Sequence, residues 1–323
     1  MSTAGTRPTA RRTCTQASTS TRTASWSCSA RGWSRSESPH VPGARDVRFS
    51  VCTLPTAPWD ELVRRWRELD GIGFETIWVP DQIVPRPGLP WLEAWTMLGA
   101  LSQVTDRARI GPLVSPIVLR NPGVLAKASV TLDHASGGRA ELGIGAGGHS
   151  LDHRKAGVED WPATERDRRL REFVERVEEL WHDPDLAPPP VQERIPLTIG
   201  GISAPTLRLA AERASRWCSY GGYNAQPEEA AAHAHGHNEL LDRFCRDNGR
   251  DLRTLRRAIL LGYLYVQETP WRSEEDFHLV VERWRAAGMD EIVWVYPPHA
   301  AMPEGAVEEG LFERLAREVM TAG

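Results

Sequence analysis

No apolar run in this 323-residue chain approaches the roughly 18 residues that a membrane helix needs, so no spanning segment is expected. Cysteine is scarce: Cys14, Cys28, Cys52, Cys218 and Cys245 are an odd set without C-x-x-C spacing. That excludes a disulfide scaffold and a zinc site and fits a reducing, cytoplasmic setting. Charge of one sign is missing as well. The formal net charge is -4 with the signs interspersed, so there is no electrostatic footprint for nucleic acid. Lysine is nearly absent, since all but Lys127 and Lys155 of the 39 basic residues are arginine. This is the mark of GC-rich codons rather than of a mechanism. Residues 1–46 have few acids and no hydrophobic period, and lack the apolar stretch of a secretory signal. They read as a disordered leader or an over-extended start.

What is present, from Val47 onward, is a steady alternation of short apolar runs with helical patterns. Strands are expected at Val47–Leu54, Thr76–Val79, Ile110–Ile117, Arg139–Ile144, Pro196–Ile199, Arg216–Ser219, Ala258–Val266 and Glu291–Tyr296. Helices fall between them, the clearest from Thr164 to Trp181. There Leu170, Phe173, Val174, Val177, Leu180 and Trp181 share one face, and Thr164 with Asp167 suggests the N-terminal cap. Before Thr164 no helix is expected after the fourth strand. Eight strand-helix units in residues 47–323 match the roughly 250 residues of an α/β (β/α)8 TIM barrel, whose functional groups lie at the C-terminal ends of the strands. Pro55, Asp81, Val114, Gly145–His149, Gly200–Ser203, Tyr220–Tyr223 and Tyr296 should therefore face one mouth.

Gly143-Ile-Gly145-Ala-Gly147-Gly148 satisfies the spacing of a dinucleotide fingerprint, but that motif must feed a helix directly and be followed by an acidic residue about 20 positions on. Here the loop continues through His149 to Gly157, which argues against a Rossmann reading. Missing side chains at Gly145, Gly147 and Gly148 instead let a planar ring or sugar chain lie against the backbone. Gly200, Gly201 and Ile202, before a helix opened by Ser203, offer amides and a favourable dipole to a phosphate.

These residues, with Thr131-Leu-Asp133, Ser136-Gly-Gly-Arg139 and the Ala-rich helix after Gly201, resemble the bacterial-luciferase-like family of flavin-dependent oxidoreductases over nearly all of the chain from Val47. The resemblance implies a barrel that binds FMN or its deazaflavin relative F420. Chemistry would be hydride transfer with a small-molecule substrate, or oxygen activation with a flavin reductase as partner. It also implies a homodimer. Cofactor contacts would come from Asp81, Leu113, Val114, Gly145, Ala146, Gly147, Gly148, Gly200, Gly201, Ile202 and Ser203, with a cis Leu113–Val114 bond behind the ring. Many relatives carry Asp-His after the second strand, where this chain has Asp81-Gln82, and a Trp where it has Gly148. Glutamine cannot carry a proton near neutral pH, which leaves His149, with Asp81, as the catalytic candidate. Asp81 has a bland alternative as a turn cap. His149-Asp152-His153 and His233-His235-His237 lack the partners of a metal site and read as polar surface. Trp91 and Trp95 are candidates for a pocket wall, and Arg120 for an anion contact. A non-catalytic flavin-binding barrel is the remaining alternative.

Overall fold

The computed structural model describes residues 47–262, 264–300 and 302–321. The leader assigned to residues 1–46, with Cys14 and Cys28, lies outside them. In chain order the elements are β1 (Arg48–Thr53), α1 (Trp59–Ile72), β2 (Thr76–Val79), α2 (Ala94–Leu101), β3 (Arg109–Pro112), β4 (Ser115–Pro116), α3 (Pro122–Ala135) and β5 (Leu142–Gly145). Then follow α4 (Ser150–Ala156), α5 (Ala163–Trp181), β6 (Leu197–Gly200), α6 (Ala204–Arg213), β7 (Arg216–Ser219), α7 (Pro227–Asp247), β8 (Arg256–Leu261), α8 (Glu274–Ala286), β9 (Glu291–Tyr296) and α9 (Leu311–Thr321).

All strand pairs are parallel, in the order β3-β2-β1-β9-β8-β7-β6-β5-β4. Two bonds close the ring: Ile110 N donates to Arg139 O (3.0 Å), and Glu141 N donates to Ile110 O (2.8 Å). β3 and β4 are one barrel position interrupted at Leu113-Val114, so the architecture is the expected eight-fold barrel. The continuous strand expected over Ile110–Ile117 is corrected to these two pieces.

Side-chain alternation sorts the core into two layers. Phe49, Val51, Ile77, Ile144, Ile199, Trp217 and Trp294 face the helices, with Trp66 and Trp181 packed opposite them. Cys52, Trp78, Leu113, Cys218, Ala258 and Val293 fill the barrel interior. Trp294 and Tyr296 share the outward parity. Tyr296 packs on Phe312 (5.0 Å) with Arg65 over its ring, so it belongs to the helix shell and not to the mouth as expected.

Several motif residues are structural ties. Buried Asp133 accepts from the amides of Val191 (2.8 Å) and Gln192 (3.0 Å). Arg139 donates to the carbonyls of Ala108, Ser102 and Thr105, holding the turn before β3. Asp167 does not cap α5, whose N-cap is Pro162 without a side-chain bond. It accepts instead from Ser203 and Thr206 at the start of α6.

Candidate active site

At the end of β2, Asp81 is buried and held on three sides. Its carboxylate accepts from Ser115 Oγ (2.7 Å), from Arg120 Nε (2.8 Å) and from Arg120 Nη2. Trp95 Nε1 donates to the same Ser115 Oγ (2.9 Å), which ties α2 to β4. Arg120 also reaches Glu93 (2.8 Å). Burial opposes ionisation of both partners, yet the pairing wins: Arg120 is pushed up, and Glu93, helped by the amides of Thr96 and Trp95, is held down at about 2. Both Asp81 oxygens are engaged by Ser115 and Arg120, an arrangement that suits a positioning group.

The expected Leu113–Val114 bond is cis. Val114 turns over β5 and β6, and this explains two glycines. A Cβ at Gly145 would lie 2.5 Å from Val114 Cγ2, and one at Gly200 would lie 2.8 Å from Val114 Cγ1. The room expected there for a ligand is taken by the valine. Gly147, in the left-handed region at φ 73°, packs against Val118 and Pro116. Gly148 is exposed, with only Arg166 Nη2 within reach of a Cβ (3.8 Å). Ala146 is half-buried between them.

Beyond the glycines the chain forms α4, the helix that was not expected, and its polar face is buried. Asp152 accepts from the amides of Val84 (2.6 Å) and Ile83 (3.2 Å), pinning the loop after β2. His153, also buried, bonds Asp160 through Nδ1 (2.9 Å), and Asp160 in turn accepts from Ser150 Oγ (2.6 Å). Asp152 and His153 are interior, which corrects their reading as polar surface. His149 precedes α4, half-exposed, with Nδ1 3.5 Å from Asp152 Oδ2 and otherwise unpartnered.

At the start of α6 the geometry divides the expected phosphate contacts. The amide of Gly201 donates to Cys218 O (3.3 Å), and its carbonyl accepts from Trp217 Nε1 (2.7 Å), so Gly201 is spent on the barrel. The Ile202 and Ser203 amides have no partner among the described residues, and Ser203 Oγ caps the helix through Thr206 N (3.3 Å). They are the free donors of a ten-residue helix whose dipole favours an anion.

Inside the barrel, burial pushes the thiols of Cys52 and Cys218 well above the ordinary range, Cys218 to about 12, so neither is a thiolate nucleophile. On the far side of the mouth, Tyr220, Tyr223 and Tyr265 pack ring to ring at 5.4–5.9 Å. Sequence reasoning missed Tyr265 by extending β8 to Val266, whereas the strand ends at Leu261. Trp91 carries a buried indole N–H without a partner.

Together these features define a (β/α)8 barrel with a mouth at the C-terminal ends of its strands. The chain belongs to the luciferase-like monooxygenase family, whose model matches residues 26–317. An F420-dependent glucose-6-phosphate dehydrogenase of Amycolatopsis mediterranei is 35% identical over 127 residues, covering 38% of this chain and 37% of that protein. The chain therefore matches little more than a third of that relative's length. An uncharacterised protein of Mycobacterium tuberculosis is 28% identical over 241 residues, 70% of this chain and 77% of the other. Among solved structures, an F420-dependent secondary alcohol dehydrogenase superposes with a TM-score of 0.69 at 16% identity, over 85% of this chain and 98% of that one. The monooxygenase RslO1 of Streptomyces bottropensis gives 0.62 at 14%, over 85% and 97%. At such identities the two structures speak to the fold.

Proposed function

We propose that the chain is an oxidoreductase that binds F420 in the barrel mouth and exchanges a hydride with a small organic substrate. The observation that carries this is the floor made by Val114 over Gly145 and Gly200, bounded by the clamped Asp81 and by the free amides of Ile202 and Ser203. The F420-dependent relatives support the choice of cofactor. When bound, the deazaflavin supplies a two-electron hydride donor or acceptor.

The protein's part is positioning. Leu113 and Val114 back the ring. Gly145, Ala146, Gly147 and Gly148 form the wall beside it, with Gly200 and Gly201 shaping its edge. Ile202 and Ser203 receive the phosphate. Asp81 fixes a polar contact at the rim. His149 carries the proton that accompanies hydride exchange, its Nδ1 turned toward Asp152 and Nε2 left to exchange.

A second reading, an FMN-dependent monooxygenase served by a flavin reductase, is favoured by Gln82, which removes the proton carrier expected of a dehydrogenase relative. Titration of the purified chain with F420 and with FMN, followed by tryptophan fluorescence, separates them. Tighter F420 binding is expected. Preference for reduced FMN would replace this reading with the second, and failure of both would leave a non-catalytic barrel.

A further inference from the structure

The mouth is electrically two-sided. Asp81, Glu93 and Arg120 gather on the β2–β4 side, and His149, Asp152 and Arg166 follow β5. On the other side the residues that leave the strands directly carry no acid, lysine or arginine; the loops after β8 and β9 are charged only further on, at Glu268, Arg272, Glu304, Glu308 and Glu309. No such group occurs in residues 53–59 after β1, 219–227 after β7, 261–267 after β8 or 296–300 after β9, where His299 is the only titratable side chain apart from tyrosine.

That side is aromatic. The chain has only five tyrosines, and four of them, Tyr220, Tyr223, Tyr263 and Tyr265, belong to the two loops after β7 and β8. Tyr263 lies outside the described residues; the other three form the ring cluster. The cluster is built rather than incidental. The two loops continue the sheet beyond the barrel, with Ala225 N donating to Tyr265 O (2.9 Å), Gln267 N to Ala225 O (3.0 Å) and Asn224 N to Leu264 O (3.0 Å). Gly221, Gly222 and Asn224 all take positive φ, and this sharp turn presents Tyr223, 67% exposed, at the opening. Burial pushes the Tyr265 hydroxyl up, and the neighbouring Tyr223 and Tyr220, whose rings it packs against, add to the shift.

We propose that this tyrosine wall makes the enzyme select a neutral, planar, conjugated carbonyl substrate and not a sugar phosphate. A phosphate ester brings about two negative charges and needs cationic partners once desolvated. The four strand ends on this side offer none. Flat tyrosine faces bind a conjugated ring by stacking, at small entropic cost. The inference rests on the mouth being the substrate site of the proposed oxidoreductase.

The test is calorimetric titration of the full, cofactor-free chain with two probes, 2-acetonaphthone and glucose 6-phosphate. Saturable binding of the naphthyl ketone is expected. It should weaken about tenfold in Tyr223→Ala and stay within about twofold in Tyr223→Phe. Tyr265→Leu should weaken it as well. Binding of glucose 6-phosphate as tight as that of the ketone, and competitive with it, would overturn the proposal, as would unchanged ketone affinity in Tyr223→Ala. Sedimentation adds a third check: dissociation of an oligomer by Tyr223→Ala would assign the wall to contact between copies instead. Because no cofactor is present, failure to bind F420 would sink the functional reading while leaving these outcomes legible.

Discussion

At the scale of single residues the decisive contacts are those of Asp81 and Val114. Asp81 is buried and Arg120 is the one cation paired with it among the described residues, so removing that partner leaves its carboxyl without a counterion. Arg120→Leu should cost about 2–3 kcal/mol in urea denaturation, below the usual figure for a buried pair because the guanidinium is partly exposed. Ser115→Ala should cost about 1 kcal/mol or less. The valine floor makes a sharper claim. A methyl at Gly200 must push against Val114 Cγ1, so Gly200→Ala should destabilise by about 1–3 kcal/mol. In a Val114→Ala background the same change should be nearly neutral, and a double-mutant cycle reads the difference directly. Equal costs in both backgrounds would mean that Gly200 is small for another reason. His149→Ala should leave F420 affinity unchanged while lowering kcat by about 10²-fold or more, with the pH dependence of kcat altered. A wild-type profile would remove His149 from the chemistry.

At the scale of elements, what was legible in the sequence followed the strength of the local signal. β2, β7 and β9 coincide with their expected bounds because apolar period and flanking Gly, Pro or Ser agree there. α4 was not legible. Seven residues are too few for a period, and the helix is held by tertiary bonds, from Asp152 to the amides of Ile83 and Val84 and from His153 to Asp160. β8 was overrun for the opposite reason, since Gly262 to Val266 is as apolar as the strand before it. Within the site, the glycines, Asp81 and the Leu113–Val114 bond could be picked out by pattern and family resemblance. Which atoms filled the glycine spaces could not, because that depends on a side chain from another strand. The bonds of Asp152 imply that α4 and the loop after β2 move as one unit. Asp152→Ala should raise amide hydrogen exchange in both segments, while Asp160→Ala should raise it mainly in α4. Exchange changes confined to α4 in both variants would break the proposed link.

At the scale of the whole molecule the barrel is sealed at one end and open at the other, by opposite chemistry. Near the N-terminal ends of the strands Arg216 lies fully inside, bonded to Glu141, to Glu291 (2.8 Å) and to Thr198 (3.2 Å), with Trp78 beneath its guanidinium. Arg256 and Ser50 complete the shell of Glu291, and Arg109 that of Glu141. Burial alone would raise the pKa of Glu291, but Arg216 and Arg256 outweigh it and hold it at about 2, below its ordinary 4.5. A depressed folded-state pKa means that the stabilisation is complete above pH 4.5 and is lost as pH falls from there toward 2. Denaturant unfolding across that window should therefore show stability falling, and Glu291→Gln should flatten the fall. Arg216→Met leaves two buried carboxylates without their shared cation and should cost about 3–5 kcal/mol. Because this network lies at the opposite end of the strands from the mouth, Arg216→Met should leave the F420 dissociation constant unchanged, measured where the variant is still folded. A weakened cofactor affinity at full folding would mean that the plug and the mouth are mechanically coupled through the strands between them.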